Sequence, residues 1–144
     1  MARTENERSL NRFILAQEEA YKRALAEIKA GKKTGHWMWF IFPQIQGLGY
    51  SETAKFYAIR DKQEAQEYLD HPILGSRLIE ISTALLHLPV SDPVPVFGTV
   101  DSMKLKSSLT LFTLLENASP VFGEVLEKFF DGEKDDMTIR ILGR

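Results

Sequence analysis

The 144 residues carry 18 Lys and Arg against 20 Asp and Glu, a net charge of −2, and no cysteine. That balance argues against a general nucleic-acid binder, and the missing thiols exclude disulfides, thiolate nucleophiles and cysteine-held metals. The polar opening MARTENERSLNRF lacks the apolar stretch of a secretory signal, and no apolar run approaches the ~20 residues of a membrane span, so a cytoplasmic protein without a membrane partner is expected.

A chain of this length makes one domain, residues 1–144, with 1–8 as a flexible amino-terminal tail. Residues 1–60 hold 10 Lys and Arg and 6 Asp and Glu, whereas residues 61–144 hold 8 and 14. An anionic ligand is therefore favoured on the amino-terminal half, although two solvated helices of opposite sign would give the same split.

In chain order, Leu10, Phe13, Ile14, Gln17, Tyr21, Ala24, Leu25 and Ile28 recur at spacings of three and four and predict a helix from Ser9 to Ala30. Gly31, Lys32 and Lys33 close it, a glycine and two cations at the negative end of the helix dipole. Gln17 lies on the apolar stripe, where a buried amide must either bond a buried backbone group, such as one in the proline-rich connector, or line a cavity beside Tyr21. Next comes GHWMWFIFPQIQGLG, Gly35 to Gly49, with both tryptophans. Its apolar octet is ambiguous between strand and buried helical turn, and Pro43 ends either one.

Ser51 is placed to cap SETAKFYAI and Asp61 to cap DKQEAQEYLD. His71 and Pro72 open PILGSRLIEISTALLHL, with a core stripe of Leu74, Leu78, Ile81, Leu85 and Leu88. Three prolines in PVSDPVPVFG rule out a helix interior and make a connector. Asp101 is expected to cap SMKLKSSLTLFTLLE, Ser119 and Pro120 to open VFGEVLEKFF, and Asp135 or Asp136 to cap a last helical turn. VPVF and MTIRIL are the only strand-like stretches. The sum is an all-α, irregular single domain of about six helices. Asn117-Ala118-Ser119, a glycosylation acceptor in form, reads as a turn.

The aromatic stretch also carries the chemistry. Trp37 and Trp39 offer stacking faces, His36 and Gln44 polar contacts, and Gly47, Gly49 and Ser51 a loop whose free amides and following helix dipole can meet a negative group. The same residues also suit a structural role, with tryptophans plugging the core and glycines making a turn. Lys104 is three residues from Asp101 and Ser107 and four from Ser108, a polar face opposite Leu105, Leu109 and Phe112 that suits phosphate better than catalysis. Glu52 is the candidate acid. His36, His71 and His87 have no metal-ligand spacing, DGEKDD lacks the calcium-loop order, and no Walker loop, dinucleotide fingerprint or nucleophile elbow occurs. No metal or cofactor is expected.

HWMWFIFPQ and DHPILGSRL, with FGTVDSMKLKSSLTLF and FFDGEKDDMTIRIL, resemble the family of bacterial proteins called domain of unknown function 1810, over about Leu10 to Leu142. The resemblance implies a mainly α-helical fold and no established activity. Its label of calpastatin, in established form a disordered, repeated, polar chain, conflicts with this compact, repeat-free pattern. YSETAKFYAI and the aromatic residues before it are also similar to a family tied to NAD and ADP-ribose chemistry that cleaves N-glycosidic bonds, which implies Glu52 as its acid. Three functions follow: a site that binds or hydrolyses a planar anionic, nucleotide-like ligand at residues 36–51; a protein-interaction module with an exposed aromatic patch, or the N-glycosidase-like enzyme; and an aromatic stretch that is structural only.

Overall fold

The computed structural model describes residues 9–143, so the tail expected at 1–8 lies outside the described residues. Among these residues the chain forms α1 (Asn11–Lys29), α2 (Met38–Ile41), α3 (Glu52–Tyr57), α4 (Lys62–Asp70), α5 (Leu74–Leu86), α6 (Val94–Thr113), α7 (Pro120–Phe130) and α8 (Asp136–Leu142). The all-α expectation holds, with eight helices rather than about six. The octet resolves into α2, whose four residues are too few to show a period, and MTIRIL is helix α8 rather than a strand. The strand-type pairing among these residues is one parallel bridge, in which Gln46 N–H donates to Ile59 O at 2.8 Å and Ile59 N–H to Gln44 O at 2.9 Å.

Local caps set most helix starts. Ser51 Oγ accepts the Ala54 N–H at 3.1 Å, Asp61 Oδ1 the Glu64 N–H at 2.8 Å, and Asp135 Oδ2 the Thr138 N–H at 3.0 Å. Ser119 caps α7 with Pro120 in its first turn. At the start of α5, His71 Nδ1 accepts the N–H groups of Ile73 at 3.1 Å and Leu74 at 3.3 Å, a cap supplied by an imidazole. Asp101 departs from expectation. It lies inside α6, because Val94–Phe97 already forms a helical turn with Pro93 and Pro95 at its entrance, where prolines are tolerated. Gly98, at φ 81° and ψ 167°, bends the chain between that turn and the rest of α6, a conformation open to glycine.

One apolar core runs through the molecule. Its spine is aromatic: Phe13 meets Tyr68 edge-on at 5.1 Å between ring centroids, Tyr68 meets Phe112 at 5.4 Å, and Phe112 meets Phe122 at 6.0 Å, joining α1, α4, α6 and α7. The stripe expected on α5, Leu74 through Leu88, is buried as read.

Three polar groups lock the helices together. Arg12, 4 % exposed, donates to Glu64, 2 % exposed, at 3.0 and 3.2 Å, and also to the carbonyls of Ser9, Phe56 and Ala58. Gln17 Nε2 donates to Phe40 O at 2.7 Å and Tyr68 Oη at 2.9 Å, so it holds α2 and not the proline-rich connector. The Lys128 ammonium on α7 donates to the carbonyls of Leu85, Leu86 and Leu88, capping the carboxyl end of α5. Glu64→Gln strands the Arg12 charge in the core and is expected to cost on the order of 3–5 kcal/mol, read from the urea midpoint. A cost below about 1 kcal/mol, that of an exposed pair, would show the bridge to be solvated.

Candidate functional site

Trp37 and Trp39, two positions apart on the turn into α2, face opposite environments. Trp37 is 2 % exposed, packs between Phe42 at 6.3 Å and Phe97 at 6.5 Å, and donates its indole N–H to Glu27 Oε1 at 2.9 Å. It is a core residue and presents no free face for stacking. Trp39 is half-buried and lines two adjoining spaces. The first is an open cleft of about 590 Å³ between α2 and α3, walled by His36, Trp39, Phe40, Glu52, Thr53, Lys55, Phe56 and Tyr57. The second is a narrow recess bounded by Trp39, Gln44, Ile45, Gly49, Ala54, Tyr57 and Ala58.

The cleft wall is built of contacting rings. Tyr57 lies 5.2 Å from Phe40 and 4.9 Å from Phe56, edge-on to the latter. Burial pushes the Tyr57 phenol pKa up, which Arg12 partly opposes, so the hydroxyl remains a neutral donor at physiological pH. Its main-chain neighbours are fixed by Arg12, which draws on the carbonyls of Phe56 and Ala58 at 2.9 Å each.

Cations gather beside the tryptophans. The Lys104 ammonium stands 5.0 Å from the Trp39 ring centroid, and that of Lys33 stands 5.1 Å from the Trp37 ring. Asp101 lies between them, 2.8 Å from Lys33 Nζ and 3.4 Å from Lys104 Nζ. Lys33 is also committed to Gly35 O at 2.6 Å, which leaves Lys104 the less satisfied of the two. Two cations thus share the Asp101 carboxylate, with the Glu27 carboxylate bonded to the Trp37 indole. Lys104 therefore stands against the Trp39 ring at the edge of the aromatic segment without lining either space, a juxtaposition that nothing in their spacing reveals.

Other expected residues fall less favourably. Ser108 is fully buried, and among the described residues its hydroxyl has no hydrogen-bond partner, so it lies behind Lys104 in the core. Ser107 spends its hydroxyl on Met103 O at 3.1 Å. Ser51 is an exposed cap, its Oγ taken up by Ala54, and α3 is too short to carry much dipole. Gly47, at φ 107°, shapes the loop, and Gly49 passes so close to α3 that a Cβ there would lie 2.6 Å from that of Ala54. Glu52 is exposed on the cleft rim, in the first turn of α3. Sequence reading missed Phe56 and Lys55 as cleft residues, Lys33 as a partner of Asp101, and Glu27.

Glu27 deserves its place because it fixes the segment. Its Oε1 accepts the N–H groups of Thr34 at 2.8 Å and Gly35 at 2.9 Å together with that of the Trp37 indole. Partial burial raises the Glu27 pKa, but hydrogen bonds from Gly35, Thr34 and Trp37 outweigh this and bring it to about 2. Among the described residues no group of three or more His, Asp or Glu side chains could hold a metal ion, and no helix is long and apolar enough to cross a membrane.

Over residues 7–142 the chain matches a family described as protein of unknown function (DUF1810). Among solved structures it is similar to the conserved hypothetical protein Rv1873 from Mycobacterium tuberculosis, at 41% identity and a TM-score of 0.91, covering 94% of this chain and 96% of that one. No curated protein matches.

Because folding favours the ionised Glu27, its contribution is complete above the ordinary value of 4.5 and fades as pH falls towards about 2. The stability gap between the wild type and Glu27→Ala, followed by guanidinium unfolding, is expected to be constant above that window and to narrow within it. A gap unchanged down to pH 2 would mean that the carboxylate charge is immaterial.

Proposed function

We propose, for a chain that belongs to the DUF1810 family of proteins of unknown function, that the cleft between α2 and α3 binds a small planar anionic ligand of nucleotide type. One observation carries the reading: a Lys104 ammonium, held to Asp101 only at 3.4 Å, rests 5.0 Å from the centroid of the half-buried Trp39 ring that lines an open aromatic cleft. A cation kept on an aromatic face beside such a space offers a ligand both a stacking wall and a counter-charge.

In this reading the ligand ring lies among Trp39, Phe40 and Tyr57, and its negative group reaches Lys104 or Lys55. His36 borders the ring from the side, and Gln44 and Gly49 in the adjoining recess offer polar contact to a ring substituent. Trp37 and Ser108 serve the scaffold. Glu52 is the one carboxylate lining the cleft among the described residues, the group placed for acid–base work if a bound ligand is cleaved. A cleft of about 590 Å³ falls within the ordinary range for small-molecule sites.

Saturable quenching of tryptophan fluorescence is expected on titration with AMP, NAD or ADP-ribose, lost in Trp39→Phe and retained in Trp37→Phe where that variant folds. Lys104→Met is expected to weaken binding about tenfold, the worth of one charge-assisted contact. A spectrum unresponsive to all three ligands and to iodide would end the proposal.

A further inference from the structure

We infer that the Trp39 cleft is one half of a two-part site, and that its ligand carries a phosphate that Arg23 holds on the far side of His36; the inference rests on the ligand reading above. His36 is exposed and lines two separate clefts. The second, of about 400 Å³, is bounded by Glu19, Ala20 and Arg23 of α1 with Gly35, His36 and Trp37.

The ridge between the clefts is rigidly made. On one flank of His36, Gly35 gives its N–H to Glu27 at 2.9 Å and its carbonyl to Lys33 at 2.6 Å. On the other flank the Trp37 indole is tied to the same Glu27 oxygen at 2.9 Å. The imidazole therefore stands on a backbone that is fixed before any ligand arrives, a condition that lowers the cost of ordering a site. Space beside the ridge is also tightly set, since a Cβ at Gly35 would lie 2.9 Å from Trp37 Cδ1.

A ligand that fills the aromatic cleft and extends past His36 meets Arg23. That guanidinium is exposed, and among the described residues it takes part in no ion pair, unlike Arg12, Arg60, Lys33, Lys104 and Lys106. Its planar fork matches phosphate oxygens in pairs. Glu19 on the same wall, and the Glu27 carboxylate bonded to Gly35 and Trp37, repel excess negative charge, which favours a single short phosphate arm over a long polyanion. The chemistry fitted by the two halves is an aromatic ring joined by a linker to a terminal phosphate, as in a nucleoside diphosphate.

Calorimetric titration of adenosine and of ADP into the wild type, Arg23→Gln and Arg23→Lys tests this. ADP is expected to bind the wild type more tightly than adenosine. Arg23→Gln should weaken ADP about tenfold and leave adenosine unchanged, and Arg23→Lys should restore part of the loss. If Arg23→Gln leaves ADP unaffected, or weakens both ligands equally, while Trp39 quenching persists, the second half of the site is refuted and the cleft reading stands. Failure of both ligands to bind or to quench Trp39 in the wild type refutes the two together.

Discussion

The guanidinium of Arg12 is the constraint on which the remaining architecture leans. It has five N–H donors and, sealed from water, uses them on the two oxygens of Glu64 and the carbonyls of Ser9, Phe56 and Ala58. A buried charge is tolerable only when so fully matched. Glu64 in turn accepts the Arg60 N–H at 2.9 Å and faces its guanidinium at 3.1 Å. One ion pair thus fixes the start of α1, the start of α4 and the end of α3. Because Phe56 and Tyr57 belong to that end, the bridge also decides where the second wall of the cleft stands.

The opposite wall is fixed by a different device, one carboxylate taking three N–H groups. Glu27 and Lys33 leave the segment from Thr34 to Trp37 little freedom, so α2 begins at a defined angle. Trp37 then plugs the core while Trp39, two residues on, emerges beside Lys104. Gln17 completes the arrangement by holding the Phe40 carbonyl from beneath. The two walls are thus each anchored by ionised groups in the scaffold.

What the sequence made legible was local. Ser51, Asp61 and Ser119 were readable as caps, and Asp135 as one of two candidates with Asp136, because a cap needs only its own next three residues. The stripe of α5 was readable because its period repeats over thirteen residues. Asp101 looked like a cap by the same logic, but its partners are Lys33, far off in the chain, and Lys104, and the break in α6 is made at Gly98 instead. Two tryptophans two positions apart, one preceding and one within a four-residue helix, carry no periodic signal, so Trp37 and Trp39 could not be told apart until tertiary contacts did so. The same limit separated Lys104 from Ser108, which share a helix stripe yet end on different sides of the core boundary. Membership of a family without known activity confirms the resemblance and adds no role to any of these residues.

Lys128 has a consequence for how the domain assembles. The last carbonyls of a helix are ordinarily satisfied by the turn that follows it, but at α5 an ammonium some forty residues later in the chain also takes up those of Leu85, Leu86 and Leu88. The end of α5 is thus fully capped only after α7 has docked. Displacing α7 would return those three carbonyls to solvent, so the local stability of the carboxyl end of α5 is linked to the docking of α7.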